Sequence, residues 1–172
     1  MIEFAKDEIY VTYIKKTNKP FNRDKIMTII GIPNPMNKPN SALWGSPIDA
    51  EFGWKEWCFL NGFKRDYNWK NPIKWKLRPY SKVLKIDFED IINEQTSILR
   101  KYIADNKNIF GMDFDFPQIM FDFELMLKDG ISAVQLMNSS IGHFYGNDLE
   151  IAFNTWDCES IVVLDETKIE FL

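Results

Sequence analysis

The order of strand-like and helix-like segments constrains the fold of this chain more than any other feature. Segments rich in β-branched and aromatic residues predict strands at 9–14, 81–88, 132–137, 156–164 and 168–171. Predicted helices are fewer, and they do not alternate with the strands one for one, as a doubly wound parallel sheet requires. The pattern therefore predicts an α+β fold, and the length predicts that residues 1–172 form a single domain.

Turn and capping signals set the bounds of the expected helices. Asp49 is a plausible N-cap for the first helix, in which Trp54 and Trp57 are interpreted as buried positions. The segment 63–79 contains two prolines and predicts an extended or looped connection. Helices are predicted at about 49–61, 88–104 and 117–129.

The composition limits the chemistry that the chain can support. It has one histidine, His143, and two cysteines, Cys58 and Cys158, too few for a zinc site built from four His or Cys ligands. The cysteines are either bridged or free, and free thiols are favoured if the protein is cytoplasmic. No glycine-rich phosphate loop and no G-x-S-x-G nucleophile motif is present.

Charge and hydropathy bound the partners and the compartment. The net charge of −4 and the pI near 5.1 give no overall basic field for nucleic acid. The longest apolar run, 161–164, is far shorter than the roughly 20 residues of a membrane span, and the N-terminus lacks a signal-peptide pattern. We therefore expect a cytoplasmic protein without a membrane partner.

Two segments carry the candidate site residues. In the first, Trp44 and Ser46 lie at a predicted strand-to-turn junction, where an aromatic plane and a hydroxyl suit a flat heteroaromatic ligand. In the second, Asp157 and Glu159 are two residues apart and are expected on one face of a strand. These carboxylates are either ordinary solvent-exposed side chains or groups that act on a ribose. In the second case a glutamate binds a ribose hydroxyl and stabilises positive charge at the anomeric carbon.

Together these segments resemble a divergent, phage or bacterial form of the ADP-ribosyltransferase superfamily. Residues 159–169 are similar in layout to the family's late catalytic strand, and Leu43 to Ser46 resemble its middle element. Residues 122–134 are similar to the helix-glycine-strand step that precedes the catalytic strand. Tyr10 to Tyr13 occupy the place of the first element but lack its usual Arg or His.

The resemblance implies a fold, a substrate and a set of site residues. The implied fold has two small, mainly antiparallel sheets with flanking helices around a cleft that binds NAD as a substrate, without a metal. Glu159 would be catalytic, Asp157 would orient the acceptor, and the implied acceptor is a macromolecule of a host cell or its defence system. The implied NAD-binding residues are Trp44 and Ser46, with Thr12, Tyr13 or Arg78 in place of the missing Arg or His.

Two other functions remain open from the sequence. One is a catalytically inactive phage-type protein that inhibits a host or defence complex, such as a CRISPR complex, by direct binding. The acidic and aromatic segment 112–116 is a candidate surface for that role. The other is binding of single-stranded nucleic acid through residues 63–70 and 75–78, where aromatic and basic residues are interleaved.

Overall fold

The computed structural model describes residues 1–16, 21–23, 38–39, 41–93, 97–106, 118–138, 153 and 155–172. The α-helices within these ranges are α1 (Trp54–Leu60), α2 (Phe88–Ile92) and α3 (Phe123–Lys128). The strands are β1 (Ile2–Phe4), β2 (Tyr10–Thr12), β3 (Trp44–Pro47), β4 (Ile73–Leu77), β5 (Lys82–Ile86), β6 (Ile103–Asn106), β7 (Gln118–Phe121), β8 (Ile131–Leu136), β9 (Ser160–Val163) and β10 (Ile169–Phe171).

Eight of these strands form one sheet in the order β1-β5-β8-β9-β3-β2-β4-β10, and β6 pairs with β7 in a separate ribbon. Among the described pairings, only β5 with β8 is parallel. The predicted α+β class is confirmed. The expected division into two small sheets differs from the structure, because β3 pairs with β9 through one half and with β2 through the other and joins the two halves.

One face of the sheet is covered by α2, α3 and the β6-β7 ribbon. Side chains of β5, β8 and β9 on this face pack against α2, α3 and a short 3-10 helix, Ile98–Tyr102. Burying this apolar surface is the main stabilising contribution of the layer. The fully buried residues include Leu84, Leu99, Phe121, Phe123, Met126 and Val162.

The opposite face of β5, β8 and β9 is covered by the far end of the same sheet. Tyr10 of β2 and Trp75 of β4 share a buried cluster with Ala133 and Ile161 of β8 and β9. The rings of Tyr10 and Trp75 pack with their centroids 4.9 Å apart. The sheet therefore bends around β3 so that the β2-β4-β10 end lies over its own centre.

Tertiary pairing explains where the helix predictions are wrong. The expected helix 88–104 stops at Ile92, and residues 103–106 pair instead with 118–121 as a β-ribbon. The expected helix from Pro117 begins only after Asp122, whose side chain accepts a hydrogen bond from the Leu125 amide. A residue's cross-strand partner lies far away in sequence, so local helical spacing does not reveal it.

Two further predictions differ from the structure near the candidate site. The segment 63–79, predicted as an extended or looped connection, contains a strand of the main sheet, β4, whose Trp75 is fully buried. Helix α1 is capped by the Gly53 backbone rather than by Asp49 and starts at Trp54. No helix in the described ranges has the length and hydrophobicity to cross a membrane. His143 and the segment 112–116 lie outside the described residues.

Candidate functional site

A cavity of about 320 Å³ lies over β3, between the ends of β2 and β9. Three segments far apart in sequence meet here: the end of β2, β3 itself, and the residues that lead into β9. Five of the seven predicted site residues line it. The lining consists of Val11, Thr12, Tyr13, Lys38, Trp44, Gly45, Ser46, Trp54, Tyr67, Trp156, Asp157, Cys158 and Ser160.

The cavity exists because β3 exchanges partners along its length. Trp44 and Gly45 pair with β9, whereas Ser46 and Pro47 pair with β2, so β2 and β9 diverge across β3. The Thr12 hydroxyl, at the end of β2, connects this strand to its two neighbours. It donates to the Trp44 carbonyl oxygen of β3 (2.6 Å) and accepts from the Trp75 indole nitrogen of β4 (2.9 Å). A Cβ at position 45 would lie 2.8 Å from the Trp75 ring, so glycine is needed at the cavity floor.

The walls of the cavity are mainly aromatic, with one cation and one carboxylate. The Trp44 and Trp156 rings meet edge to face with centroids 4.8 Å apart, and Lys38 Nζ lies 5.4 Å from the Trp44 ring centroid. Burial lowers the pKa of Lys38, and the nearby Asp157 carboxylate opposes that shift. A flat ligand that carries negative charge fits such a combination of rings and ammonium group.

Ser46 links β3 to the start of α1 and to the residues that lead into β9. Its hydroxyl, 2% exposed, donates to the Glu159 carbonyl oxygen (2.8 Å) and accepts from the Trp54 amide (2.9 Å) at the start of α1. The Glu159 amide in turn donates to the Phe52 carbonyl oxygen (3.0 Å). Ser46 therefore holds α1 and the entry to β9 against β3, and in this way it positions two walls of the cavity.

The expectation that Asp157 and Glu159 share a strand face is wrong. Strand β9 begins only at Ser160, and both acidic residues lie in the bend before it. Asp157 is exposed and lines the cavity, whereas the Glu159 side chain is 8% exposed and is not part of the lining. Glu159 lies on the face of the sheet where Tyr10, Ile161 and Val163 pack together, as the electrostatic effect of its carboxylate on Tyr10 indicates.

Behind the cavity, Glu159 lies near a group of polar side chains that are buried or half-buried. The Glu8 carboxylate accepts from the Tyr10 hydroxyl (2.7 Å), Lys85 Nζ (3.3 Å) and the Gln135 amide (3.5 Å). Burial, the Glu8 carboxylate and the more distant Asp49 raise the pKa of Glu159, and Lys85 opposes the rise. Burial and Glu8 likewise raise the pKa of Tyr10. Glu159 is thus a carboxyl that favours its protonated form more than usual.

Arg78 lies away from the site. Thr12 pairs with Ile73 at one end of β4, and Arg78 follows the opposite end, five residues or about 17 Å along the strand. Its side chain is exposed, and its amide donates to the Lys168 carbonyl oxygen. The structure therefore does not bring Arg78 together with Thr12 and Tyr13, and a cation from another segment, Lys38, lines the cavity instead.

Eight of the thirteen lining residues were not predicted as site residues, among them Lys38, Trp54 and Tyr67. Lys38 lies in a proline-rich stretch without a periodic pattern, so no local signal identifies it. Trp54, interpreted as a core position, is half-buried and stacks on Trp57 with centroids 4.9 Å apart. Tyr67 meets Trp54 edge to face at 5.8 Å. The three-residue spacing of Trp54 and Trp57 indicated one shared helix face, but not whether that face is covered.

Cys58 and Cys158 are both free and buried. Burial raises the pKa of Cys158, which lines the cavity, to about 12, and the neighbouring carboxylate of Asp157 adds to the rise. Cys158 is therefore a thiol rather than a thiolate at neutral pH. Within the described ranges, no group of three or more His, Cys, Asp or Glu side chains is arranged to hold a metal ion.

Comparison with protein-family models, with curated proteins and with solved structures gave no match for this chain.

We expect Ser46→Ala to lower the free energy of unfolding by about 1–3 kcal/mol, because it leaves a buried amide and a buried carbonyl oxygen without their partner. Urea denaturation measures the change. Ser81→Ala is the matched control, since the Ser81 hydroxyl makes one local bond to the Arg78 carbonyl oxygen. A loss of stability for Ser46→Ala no greater than that for Ser81→Ala would show that Ser46 does not hold α1 and the entry to β9 against β3.

We expect Glu159→Gln to stabilise the protein near pH 7 and to change its stability little near pH 4. The raised pKa means that the folded state binds the Glu159 proton more tightly than the unfolded state, so ionisation destabilises the fold as pH rises above the usual glutamate range. Glutamine removes this ionisation. Urea denaturation of both proteins across this range measures the difference.

The control is Glu124→Gln, because Glu124 is exposed on α3. Its unfolding free energy should follow that of the wild type at every pH. If Glu159→Gln also follows the wild type, Glu159 does not interact with the Glu8 group in the way described.

Proposed function

We propose that the protein is a divergent ADP-ribosyltransferase-like protein that binds NAD in the cavity over β3. The observation that carries this proposal is that five of the predicted site residues, from three separate parts of the chain, line one cavity. Thr12 and Tyr13, Trp44 and Ser46, and Asp157 come from three separate parts of the chain and line the same cavity. Their convergence on one cavity is what a common ligand site requires.

The cavity suits the nicotinamide-ribose half of NAD. Its volume is at the lower end of the roughly 300–1,000 Å³ of small-molecule sites, enough for one ring and one sugar rather than a whole dinucleotide. Trp44 and Trp156 offer aromatic surface for the flat nicotinamide ring. Lys38 supplies positive charge for the phosphates, the part that the missing Arg or His of the first element would otherwise take.

Asp157 is the carboxylate that we propose for chemistry at the ribose. NAD supplies the bond that is broken: the bond between the nicotinamide nitrogen and the anomeric carbon, whose electron pair leaves with nicotinamide. Asp157 stabilises the positive charge that develops on the sugar, and the acceptor then forms a bond to the same carbon and loses its proton. Glu159, the residue that the resemblance implied as catalytic, instead supports the cavity through the hydrogen bonds that its backbone makes with Ser46 and Phe52.

A second candidate function is inhibition of a host or defence complex by direct binding, without catalysis. The specific observation in its favour is that the Glu159 side chain is buried and does not line the cavity. A protein that had kept the fold and lost transferase activity has no need of a second carboxylate at the cavity, and Glu159 is buried in the Glu8 group instead. In this function NAD either binds unchanged or does not bind.

The proposal predicts NAD-dependent transfer that requires Asp157. We expect mass spectrometry of a bacterial lysate incubated with the protein and NAD to detect an added ADP-ribose. Asp157→Asn should reduce the transfer rate by a factor on the order of 10²–10³, the effect of removing one electrostatic contact to a transition state. Trp44→Ala should weaken NAD binding, measured by calorimetry.

Glu159→Gln is the matched carboxylate control, and it should keep most of the transfer activity. Loss of transfer in Glu159→Gln together with full activity in Asp157→Asn would show that Glu159, and not Asp157, is the catalytic carboxylate. NAD binding without transfer in any lysate favours the inhibitor. No NAD binding by calorimetry at millimolar concentration contradicts the proposal.

A further inference from the structure

A row of aromatic side chains continues from the cavity onto the surface formed by residues 13–16 and 54–70. We call it the aromatic array. The rings of Trp54, Trp57 and Phe63 stack nearly parallel, with centroids 4.9 and 5.6 Å apart and interplanar angles of 14° and 7°. Around this stack lie the other members of the array: Tyr67 at 5.8 Å from Trp54, Trp69 at 5.2 Å from Tyr67, Tyr13 at 4.9 Å from Trp69, and Phe59 at 5.4 Å from Trp69.

The outer members of the array are not covered by the rest of the described chain. Phe59 is 39% exposed, Phe63 43% and the neighbouring Leu60 75%. None of the array belongs to either buried core cluster. An exposed apolar patch of this kind on a small protein indicates a binding surface rather than packing.

The same surface is basic, although the chain as a whole is acidic. The two segments contain six cationic residues and two acidic ones, Glu56 and Asp66, whereas the chain has a net charge of −4. The six cations are exposed and form no ion pair with a carboxylate of the described residues. They are Lys15, Lys16, Lys55, Lys64, Arg65 and Lys70.

Backbone contacts hold the rings and the cations on one surface. The Asn68 amide donates to the Ile14 carbonyl oxygen (2.9 Å), and the Lys16 amide to the Asp66 carbonyl oxygen (2.8 Å). Lys64 Nζ lies 4.7 Å from the Phe59 ring centroid, and the Trp69 indole donates to the Lys64 carbonyl oxygen. The array is thus a structured platform that places positive charge beside aromatic faces.

We propose that the aromatic array binds single-stranded nucleic acid. Unpaired bases stack on the exposed rings, and the six cations meet the phosphates, the combination that binds single strands with little sequence preference. A duplex offers no free base faces to the rings, so the surface selects single strands. Trp54 and Tyr67 belong both to the array and to the cavity lining, so a bound strand passes the cavity mouth.

This proposal does not rest on the proposed function, because the array lies outside the cavity apart from those two rings and Tyr13. Its test uses fluorescence anisotropy of fluorescein-labelled oligo(dT) and oligo(rU), with a labelled duplex for comparison. The protein is the full chain, at salt concentrations between about 50 and 200 mM. We expect binding to the single strands, at least about tenfold weaker binding to the duplex, and a steep loss of affinity with salt.

Two variants separate the parts of the surface. Lys64→Ala/Arg65→Ala should lower the slope of log affinity against log salt by about 1.4, or about 0.7 for each phosphate contact. Phe59→Ala/Phe63→Ala should weaken binding about tenfold or more, because the two exposed stacking faces are lost. The matched controls are Lys74→Ala/Lys128→Ala, which removes the same charge from exposed positions elsewhere, and Tyr80→Ala, which removes an exposed ring.

Absence of oligonucleotide binding at micromolar protein and low salt overturns the proposal. So does equal loss of affinity in the array variants and the controls, and so does equal affinity for single strand and duplex. The Lys64→Ala/Arg65→Ala variant keeps the test valid if the aromatic variant fails to fold. Calorimetry with NAD on the same wild-type preparation reports on the cavity separately, so failure of one proposal does not hide the other.

Discussion

The arrangement of the candidate site depends on one buried hydroxyl. Ser46 lies where β3 changes partner, and its Oγ joins the start of α1 to the residue that precedes β9. Without that junction, Trp54 and the Asp157–Ser160 bend have no common anchor on β3. The Thr12 hydroxyl makes a similar connection on the other side, between β3 and Trp75. Two small hydroxyl side chains thus hold open a cavity in the middle of a continuous sheet.

The polar groups of the site are divided between the two faces of the sheet. On the cavity side, Asp157 and Lys38 are accompanied by aromatic rings, and Lys38 is partly desolvated. On the other side, Glu159 and Glu8 share buried surroundings in which Lys85 compensates part of the negative charge. Separating the carboxylates in this way leaves one negative group at the cavity and keeps the second away from an anionic ligand.

The sequence was informative where the signal was local. The α+β class, the strand at 131–136 and the site residues Trp44 and Ser46 follow from alternation and from the turn near Pro47. Long-range pairing was not visible: β6, β7 and β4 form because of partners far along the chain. The sequence also did not predict which face of the sheet the Glu159 side chain occupies. Strand β9 begins three residues after Asp157, and the alternation of side chains does not extend through the bend before it. Lys38 is brought to Trp44 by chain folding alone.

The most direct test of the central claim, that three separate segments form one NAD site, is an NMR titration of the six tryptophan indole N–H signals with NAD. The account predicts saturable shifts for Trp44, Trp54 and Trp156, which line the cavity, and a smaller change for Trp69, which contacts the lining only through Tyr13 and Tyr67. Absence of shifts in the three lining tryptophans at millimolar NAD, or shifts confined to Trp69, would contradict it.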